Sequence, residues 1–217
     1  MPRFYAGIGA RATPPPILSL MTRAAFALCK RGYVLRSGRA IGADSAFERG
    51  GGRDAQIFLP APGWRGSVST LHPEALGAEL WGRARGVAAA HHPAFAGLSP
   101  FVQALHRRNV FQVLGPRLDS PAEFVLCWTA DGEASGGTGQ ALRLQVGTTR
   151  VRGAAEQEQA LARVGQVGLD RVETEEGRQR QRVGPVTFEG LACLLLRGAA
   201  DVAAPGVEDH RHAGRGL

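Results

Sequence analysis

Short apolar runs alternate with segments of helical apolar spacing along the first 60 residues of the chain. The runs predict strands, and the periodic segments predict helices that bury one face. Prolines within 13–16 mark the start of the first helix and Gly32 marks its end, because proline fits the first helical turn and glycine the position after the last. The pattern predicts strands at 3–8, 33–35 and 55–59 and helices at 17–31 and 43–49.

Residues 60–150 continue this pattern with more helix than strand. We expect loops at 60–70 and 86–98, although residues 87–91 are also able to extend the helix before them. The predicted elements are helices at 72–84, 100–114 and 137–144 and a strand at 123–128 that is apolar at every position after Glu123. In helix 100–114 the candidate core positions are Phe101, Leu105, Val110 and Leu114. A fully apolar strand is typical of a parallel sheet covered on both faces.

The order strand, helix, strand, helix, strand implies right-handed crossovers and parallel pairing. We therefore predict an α/β chain with a Rossmann-like three-layer fold and a mostly parallel central sheet over residues 1–150. Residues 151–203 form an extension whose structure the pattern does not define. Residues 204–217, rich in glycine, histidine and arginine, are expected to be a disordered tail.

Positive charge is concentrated in the predicted sheet domain. Residues 1–150 hold 17 Lys+Arg and 9 Asp+Glu, giving +8, whereas residues 151–217 hold 9 and 10, giving −1 and the total of +7. Such a field attracts the phosphates of a nucleotide or of nucleic acid. The sequence contains no apolar run of membrane-spanning length and no secretory signal at its N-terminus, so we expect no membrane partner and a cytoplasmic location.

Several familiar chemical signatures are missing from the sequence. Cys29, Cys127 and Cys193 are far apart and form no CxxC pair, so we expect buried thiols rather than a disulfide framework. The histidines show no metal-ligand spacing, and there is neither a Walker A sequence nor a GxSxG nucleophile motif. The sequence therefore assigns no metal, no cofactor and no catalytic residue.

Glycine-rich turns follow the first, second and fourth predicted strands. In a parallel sheet these turns share the carboxyl edge, where open α/β sheets bind ligands. Glycine lets the backbone approach a phosphate closely, and the N–H groups of the following helix meet the anion. We expect a ligand phosphate to be held by residues of these turns, namely Gly7, Gly9, Ala10, Arg11, Ser37, Gly38, Gly42, Ala43, Asp44, Gly136, Gly137, Thr138, Gly139 and Gln140.

Some turn side chains have two interpretations that the sequence leaves open. Asp44 is placed either to hydrogen-bond a ribose hydroxyl or to serve as a first-turn carboxylate near the helix dipole. Arg11 and Arg39 either clamp a phosphate or lie on the solvated surface. Ser37 and Thr138 add hydroxyl donors to the expected phosphate site.

The middle of helix 100–114 is unusually polar. Arg108 and Gln112 are four residues apart and share a face. Asn109, next to Val110 and Phe111, either points inward, to a base or to a loop carbonyl, or is a structural asparagine on a basic solvated face. We include Arg108 and Asn109 in the binding site. At the end of the fourth strand, Thr129 is a further candidate, and Trp128 either stacks on a base or packs in the core.

Five segments resemble the SLOG superfamily of Rossmann-like proteins, which includes the DNA-processing protein DprA and the LOG enzymes. The chain is most similar to the small phage and bacterial DprA-like type. The segments extend over about two-thirds of the chain and read FYAGIGARATPP (4–15), LRSGRAIGADSAFERG (35–50), HRRNVFQVLG (106–115), FVLCWTADG (124–132) and GGTGQA (136–141).

The resemblance implies a nucleotide-derived ligand at the glycine turns. LOG enzymes carry acidic residues after the corresponding glycine-threonine, whereas Gln140 and Ala141 stand here, which favours binding over hydrolysis. Two alternatives stay open: DprA-like binding of single-stranded DNA, linked to recombination or phage biology, and hydrolysis of a nucleotide N-glycosidic bond with Asp44 or Asp131 as the carboxylate. The sequence also allows a homo-oligomer.

Overall fold

The computed structural model describes residues 2–128 and 136–148, so the predictions for 151–203, for 204–217 and for Thr129 and Asp131 lie outside the described residues. The strands are β1 (Arg3–Gly7), β2 (Tyr33–Ser37), β3 (Gln56–Ile57) and β4 (Phe124–Leu126). The helices are α1 (Pro15–Lys30), α2 (Ala43–Gly50), α3 (Pro73–Leu76), α4 (Ala78–Ala90), α5 (Pro100–Leu114) and α6 (Gly136–Thr148). Within the described ranges, no helix combines the length and apolar character needed to cross a bilayer.

The four strands form one sheet in the order β3-β2-β1-β4, and every pairing is parallel. The predicted α/β class with a parallel central sheet is confirmed. The chain builds outward from β1 to β2 and β3, then crosses back to place β4 on the other side of β1. Neighbouring β1 and β4 are therefore the point at which the strand order reverses, which is where open α/β sheets form their ligand crevice.

Helices cover both faces of the sheet, and each face has its own hydrophobic cluster. Successive strand residues point to opposite faces, so Tyr5 packs with α1 and α2 while Ala6 packs with α4, α5 and α6. The first cluster includes Met21, Leu28, Leu35 and Phe47. The second includes Phe58, Trp81, Phe111, Val125 and Leu144. These two clusters give the three layers that the sequence predicted.

A buried arginine extends β2 two residues beyond the predicted end at Leu35. Arg36 is 1% exposed. Its Nε donates to Oε1 of Gln56 at 2.8 Å, and its Nη2 donates to the hydroxyl of Ser120 at 3.2 Å. The guanidinium carbon also lies 3.8 Å from the ring centroid of Phe4. Burial lowers its pKa to about 10, so the side chain stays charged at neutral pH. Arg36 thereby ties β2 to β3 and to the segment before β4.

The structure corrects several predicted element bounds. Helix 72–84 is broken at Gly77, whose φ of 88° lies outside the helical region, and α4 then continues to Ala90, in agreement with the alternative that residues 87–91 extend the helix. Strand 55–59 pairs only over Gln56–Ile57. Phe101, a candidate core residue, is 47% exposed because it lies in the first turn of α5 and faces a cleft.

Candidate functional site

A cleft of about 570 Å³ opens beside the reversal of strand order. Its walls include the turn after β1, residues 8–11, and the first turn of α6, residues 136–138. The floor is a face of α5 between Phe101 and Gln112, and Trp64 with Arg65 completes the mouth. The turns after β1 and β4 are thus brought together at one site.

The start of α6 makes one side of the cleft suited to an anion. The helix has 13 residues, and its first three, Gly136, Gly137 and Thr138, line the cleft. The first N–H groups of a helix have no intrahelical acceptor, and the helix dipole adds partial positive charge there. Arg11, in the turn after β1, is exposed and makes no hydrogen bond or ion pair with the part of the chain that the structure describes. A cation and a helix start therefore both line the cleft.

Asp44 and Arg108 form a buried ion pair at the floor of the cleft. The distance from Nη1 of Arg108 to Oδ2 of Asp44 is 3.1 Å, and the side chains are 6% and 4% exposed. Asp44 also accepts from the backbone N–H of Ala40 at 3.3 Å. Burial raises the pKa of the Asp44 carboxyl, and the charge of Arg108 opposes that rise. Neither alternative weighed from the sequence for Asp44 included this pairing.

Gly38 is required by the ion pair. A Cβ at position 38 would lie 1.3 Å from Nη1 of Arg108, so only glycine leaves room for the guanidinium beside Asp44. The second glycine turn therefore contributes to the site by giving space to a side chain of α5.

The rest of the second turn supports the first turn from behind. Ser37 is fully buried and donates its hydroxyl to the carbonyl of Gly7 at 2.8 Å. The N–H of Ala43 donates to the carbonyl of Ala10 at 3.3 Å. Gly42 has a φ of 84°, and a Cβ there would lie 2.5 Å from the carbonyl oxygen of Arg11. These contacts fix the backbone of the cleft wall.

The sequence candidates thus divide into two groups. Those that line the cleft are Gly9, Ala10, Arg11, Asp44, Arg108, Asn109, Gly136, Gly137 and Thr138. Those placed behind or beside it are Gly7, Ser37, Gly38, Gly42, Ala43, Gly139 and Gln140. Arg39 pairs with Glu48 at 2.8 Å outside the cleft, and Trp128 packs against the hydrophobic cluster under α1 and α2.

Gln140 joins three helices beside the cleft through one side-chain amide. Its Nε2 donates to the carbonyl of Ala88 in α4 at 3.4 Å, so its Oε1 is the atom that faces α5. That oxygen accepts from Nδ1 of His106 at 2.7 Å and from Nδ2 of Asn109 at 3.5 Å. Asn109 also donates to the carbonyl of Gly137 at 3.2 Å, which holds the start of α6 against α5.

His106 is a neutral imidazole with a defined tautomer. Because Oε1 of Gln140 is an acceptor, Nδ1 of His106 carries the hydrogen. Burial lowers the pKa of His106 below its ordinary value of 6.5, and the charges of Arg108 and Arg143 and the nearby ring of His92 act in the same direction. The ring lines the cleft, and Nε2 makes no hydrogen bond with the described residues, so it is available as an acceptor.

The lowered pKa of His106 predicts that acid destabilises the fold. The unfolded state binds a proton at His106 more readily than the folded state, so this contribution is fully present above pH 6.5 and is lost as the pH falls. We expect the free energy of unfolding, measured in urea, to fall more between pH 7.5 and pH 5.5 for the wild type than for His106→Gln. Equal losses in the two proteins would assign the pH dependence to other groups.

Gln112 is a cleft residue that was not among the predicted site residues. It is 0% exposed, and both of its amide atoms lack a hydrogen-bond partner among the described residues. Leaving a buried polar group unpaired costs about 1–3 kcal/mol. One sequence feature could have identified Gln112 as a site residue, namely its position four residues after Arg108 on the same face of the helix. Trp64 and Arg65, at the mouth of the cleft, come from a loop in which no sequence pattern indicates a site residue.

No family model, curated protein or solved structure matches the chain. The function is therefore inferred from the cleft and its residues.

Proposed function

We propose that the cleft binds a nucleotide or nucleotide derivative whose phosphate lies between the start of α6 and the turn after β1. The observation that carries this proposal is that a helix N-terminus and Arg11, which has no partner among the described residues, line one cleft at the reversal of strand order. Helix N–H groups and an arginine are a common combination for phosphate. The resemblance of the glycine turns to the SLOG superfamily supports the same ligand class.

The described residues that line the cleft favour binding of a nucleotide over its cleavage. Hydrolysis of an N-glycosidic bond needs a carboxyl group free to transfer a proton or attack the sugar. Among the described residues that line the cleft, Asp44 is the only acid, and its carboxylate is engaged by Arg108. Position 140 carries an amide committed to Ala88 and His106. For these reasons we propose binding rather than hydrolysis.

Nucleotides are expected to stabilise the full chain against thermal unfolding. A ligand that binds only the folded state at 100 times its Kd adds about 2.7 kcal/mol. Removing one charge-assisted contact should weaken phosphate binding about tenfold or more, so we expect that loss for Arg11→Ala. Gly137→Asp should weaken binding further, because it places a negative charge on the α6 wall. The measurement is a thermal-shift panel of nucleoside phosphates followed by titration calorimetry.

Arg53→Ala is the matched control, since Arg53 is also exposed but lies away from the cleft. It should leave nucleotide affinity unchanged. The proposal is wrong if no nucleotide stabilises the wild type, or if Arg11→Ala and Arg53→Ala behave alike.

A second candidate function, binding of single-stranded DNA, is favoured by a basic pocket next to the cleft. This pocket of about 420 Å³ is lined by Arg39, Ser45, Glu48, Arg49 and Arg65, and Arg65 also lines the cleft. A groove of positive charge that tracks a backbone is typical of single-strand binding.

In the same calorimetric assay, an oligothymidylate should then bind more tightly than a mononucleotide, with an affinity that falls steeply with salt. If the oligothymidylate binds no more tightly than the mononucleotide, nucleotide binding remains the only proposed function.

A further inference from the structure

The cleft has two ends of different chemistry along α5. The lining residues of this helix run from position 101 to position 112, which corresponds to about 16 Å at a rise of 1.5 Å per residue. At the amino-terminal end they are apolar, namely Phe101, Val102 and Leu105. At the carboxyl-terminal end they are polar, namely Arg108, Asn109 and Gln112. A ligand that fills this cleft therefore needs one apolar end and one polar end.

The apolar end is an aromatic pair at the mouth of the cleft. The ring centroids of Trp64 and Phe101 are 5.2 Å apart, with an angle of 49° between the ring planes. Phe101 is 47% exposed even though it is a large hydrophobic residue. Phe26, Ile41 and Val68 are the other exposed large hydrophobics among the described residues, and none of them lines the cleft. The exposed aromatic surface is thus located where a ligand would cover it.

The loop that carries Trp64 is anchored, so the aromatic pair has a fixed place. Ser69 donates its hydroxyl to the carbonyl of Ile57 at 2.6 Å, and the N–H of Leu59 donates to the carbonyl of Leu71 at 2.8 Å. Arg65 has a φ of 51°, a left-handed conformation that side chains other than glycine rarely adopt. This conformation keeps its guanidinium 5.2 Å from the ring centroid of Trp64.

The indole of Trp64 also has an unpaired polar group. Its Nε1 is buried and has no acceptor in the described part of the chain. A buried tryptophan usually donates its N–H to a partner.

We propose that the Trp64–Phe101 pair is the base-binding subsite of the cleft, with the planar ring of the nucleotide stacked against it. This inference rests on the proposed function and adds the position of the base to that of the phosphate. Phe101 and Asn109 are about 12 Å apart along the helix axis, and Asn109 contacts Gly137 at the start of α6. The sugar therefore lies between the aromatic mouth and the phosphate end.

Stacking in this subsite accepts any base, because every base has a π-face. We therefore expect the four ribonucleoside 5′-monophosphates to bind with similar affinity. Ribose 5-phosphate, which lacks the base, should bind about 5- to 150-fold more weakly than adenosine 5′-monophosphate, which is the range that one stacking contact provides.

The test compares adenosine 5′-monophosphate and ribose 5-phosphate by titration calorimetry on the full chain. Phe101→Ala should lower the affinity for the nucleotide at least fivefold and leave the affinity for ribose 5-phosphate unchanged. Phe26→Ala is the matched control, because Phe26 is 56% exposed on α1 and should affect neither probe. Nucleotide-induced quenching of tryptophan fluorescence should also be present in the wild type and lost in Trp64→Phe.

The outcomes separate the two proposals. If both probes bind the wild type and Phe101→Ala weakens both equally or neither, the base subsite is wrong and the proposed function stands. If neither probe binds the wild type although another nucleotide of the panel does, the base subsite is wrong; if no nucleotide binds, both proposals are overturned. Quenching that persists in Trp64→Phe would place the base elsewhere in the cleft.

Discussion

Arg108→Met should lower the free energy of unfolding by about 3–5 kcal/mol, which is the usual cost of removing one partner of a buried ion pair. Asp44 and Arg108 are joined at 3.1 Å and are both almost completely buried. Without the guanidinium, the Asp44 carboxylate keeps the backbone N–H of Ala40 but loses its counter-charge in a site that water scarcely reaches. Urea unfolding at neutral pH measures the loss.

The exposed pair of Arg117 and Asp119 provides the control for this prediction. Its charged atoms are 3.8 Å apart, with side chains 82% and 60% exposed. Arg117→Met should cost about 1 kcal/mol or less, because solvent screens such pairs. The double variant Arg108→Met/Asp44→Asn should recover part of the loss, since it removes the unpaired charge. Equal losses for Arg108→Met and Arg117→Met would contradict a stabilising role for the buried pair.

Gly42→Ala should destabilise the chain by about 3 kcal/mol or more and weaken nucleotide binding with it. Gly42 has a φ of 84° and a ψ of −125°, a combination that residues with a side chain rarely adopt and that costs an alanine about 1–3 kcal/mol. The added Cβ would also lie 2.6 Å and 2.5 Å from the carbonyl oxygens of Ala10 and Arg11, and relieving such overpacking typically costs a further 1–3 kcal/mol. Because Ala10 and Arg11 line the cleft, the displaced backbone should reduce ligand affinity as well.

Gly32→Ala is a control that has a positive φ but lacks the contact with the first turn. Gly32 has a similar φ of 78°, and a Cβ there would meet nothing within 4 Å. It should therefore show the conformational cost alone and leave nucleotide affinity intact. If Gly42→Ala is no more costly than Gly32→Ala in urea unfolding, the contact between the first and second turns is not what requires glycine.

Local signals in the sequence were sufficient to predict most elements of the fold. Helix α5 has the predicted bounds of 100–114 because Pro100 suits a first turn and Gly115 follows the last residue. The parallel sheet follows from the order of strands and helices. The break at Gly77 was not predicted, because a glycine within a periodic pattern is compatible with a continuous helix until its φ is known.

The candidate site was only partly predictable, because its decisive contacts join distant residues. The sequence indicates both Asp44 and Arg108 as candidates, but across a separation of 64 positions it carries no signal for their pairing. The sequence predicts Phe101 in the core, because its helical position is compatible with either face. Trp64 belongs to a loop without periodicity, and its place at the cleft depends on how that loop packs. Local patterns therefore predicted the turns, whereas tertiary packing determined which side chains meet there.

The contacts of Gln140 restrict how this chain could be redesigned. A glutamate at that position would still accept from His106 and Asn109, but it would turn an oxygen toward the carbonyl of Ala88 in place of the present N–H donor. Two facing oxygens repel, so α4 and α6 would separate at this point. An engineer who wishes to convert the binding cleft into a hydrolase should therefore introduce the acid at another cleft position.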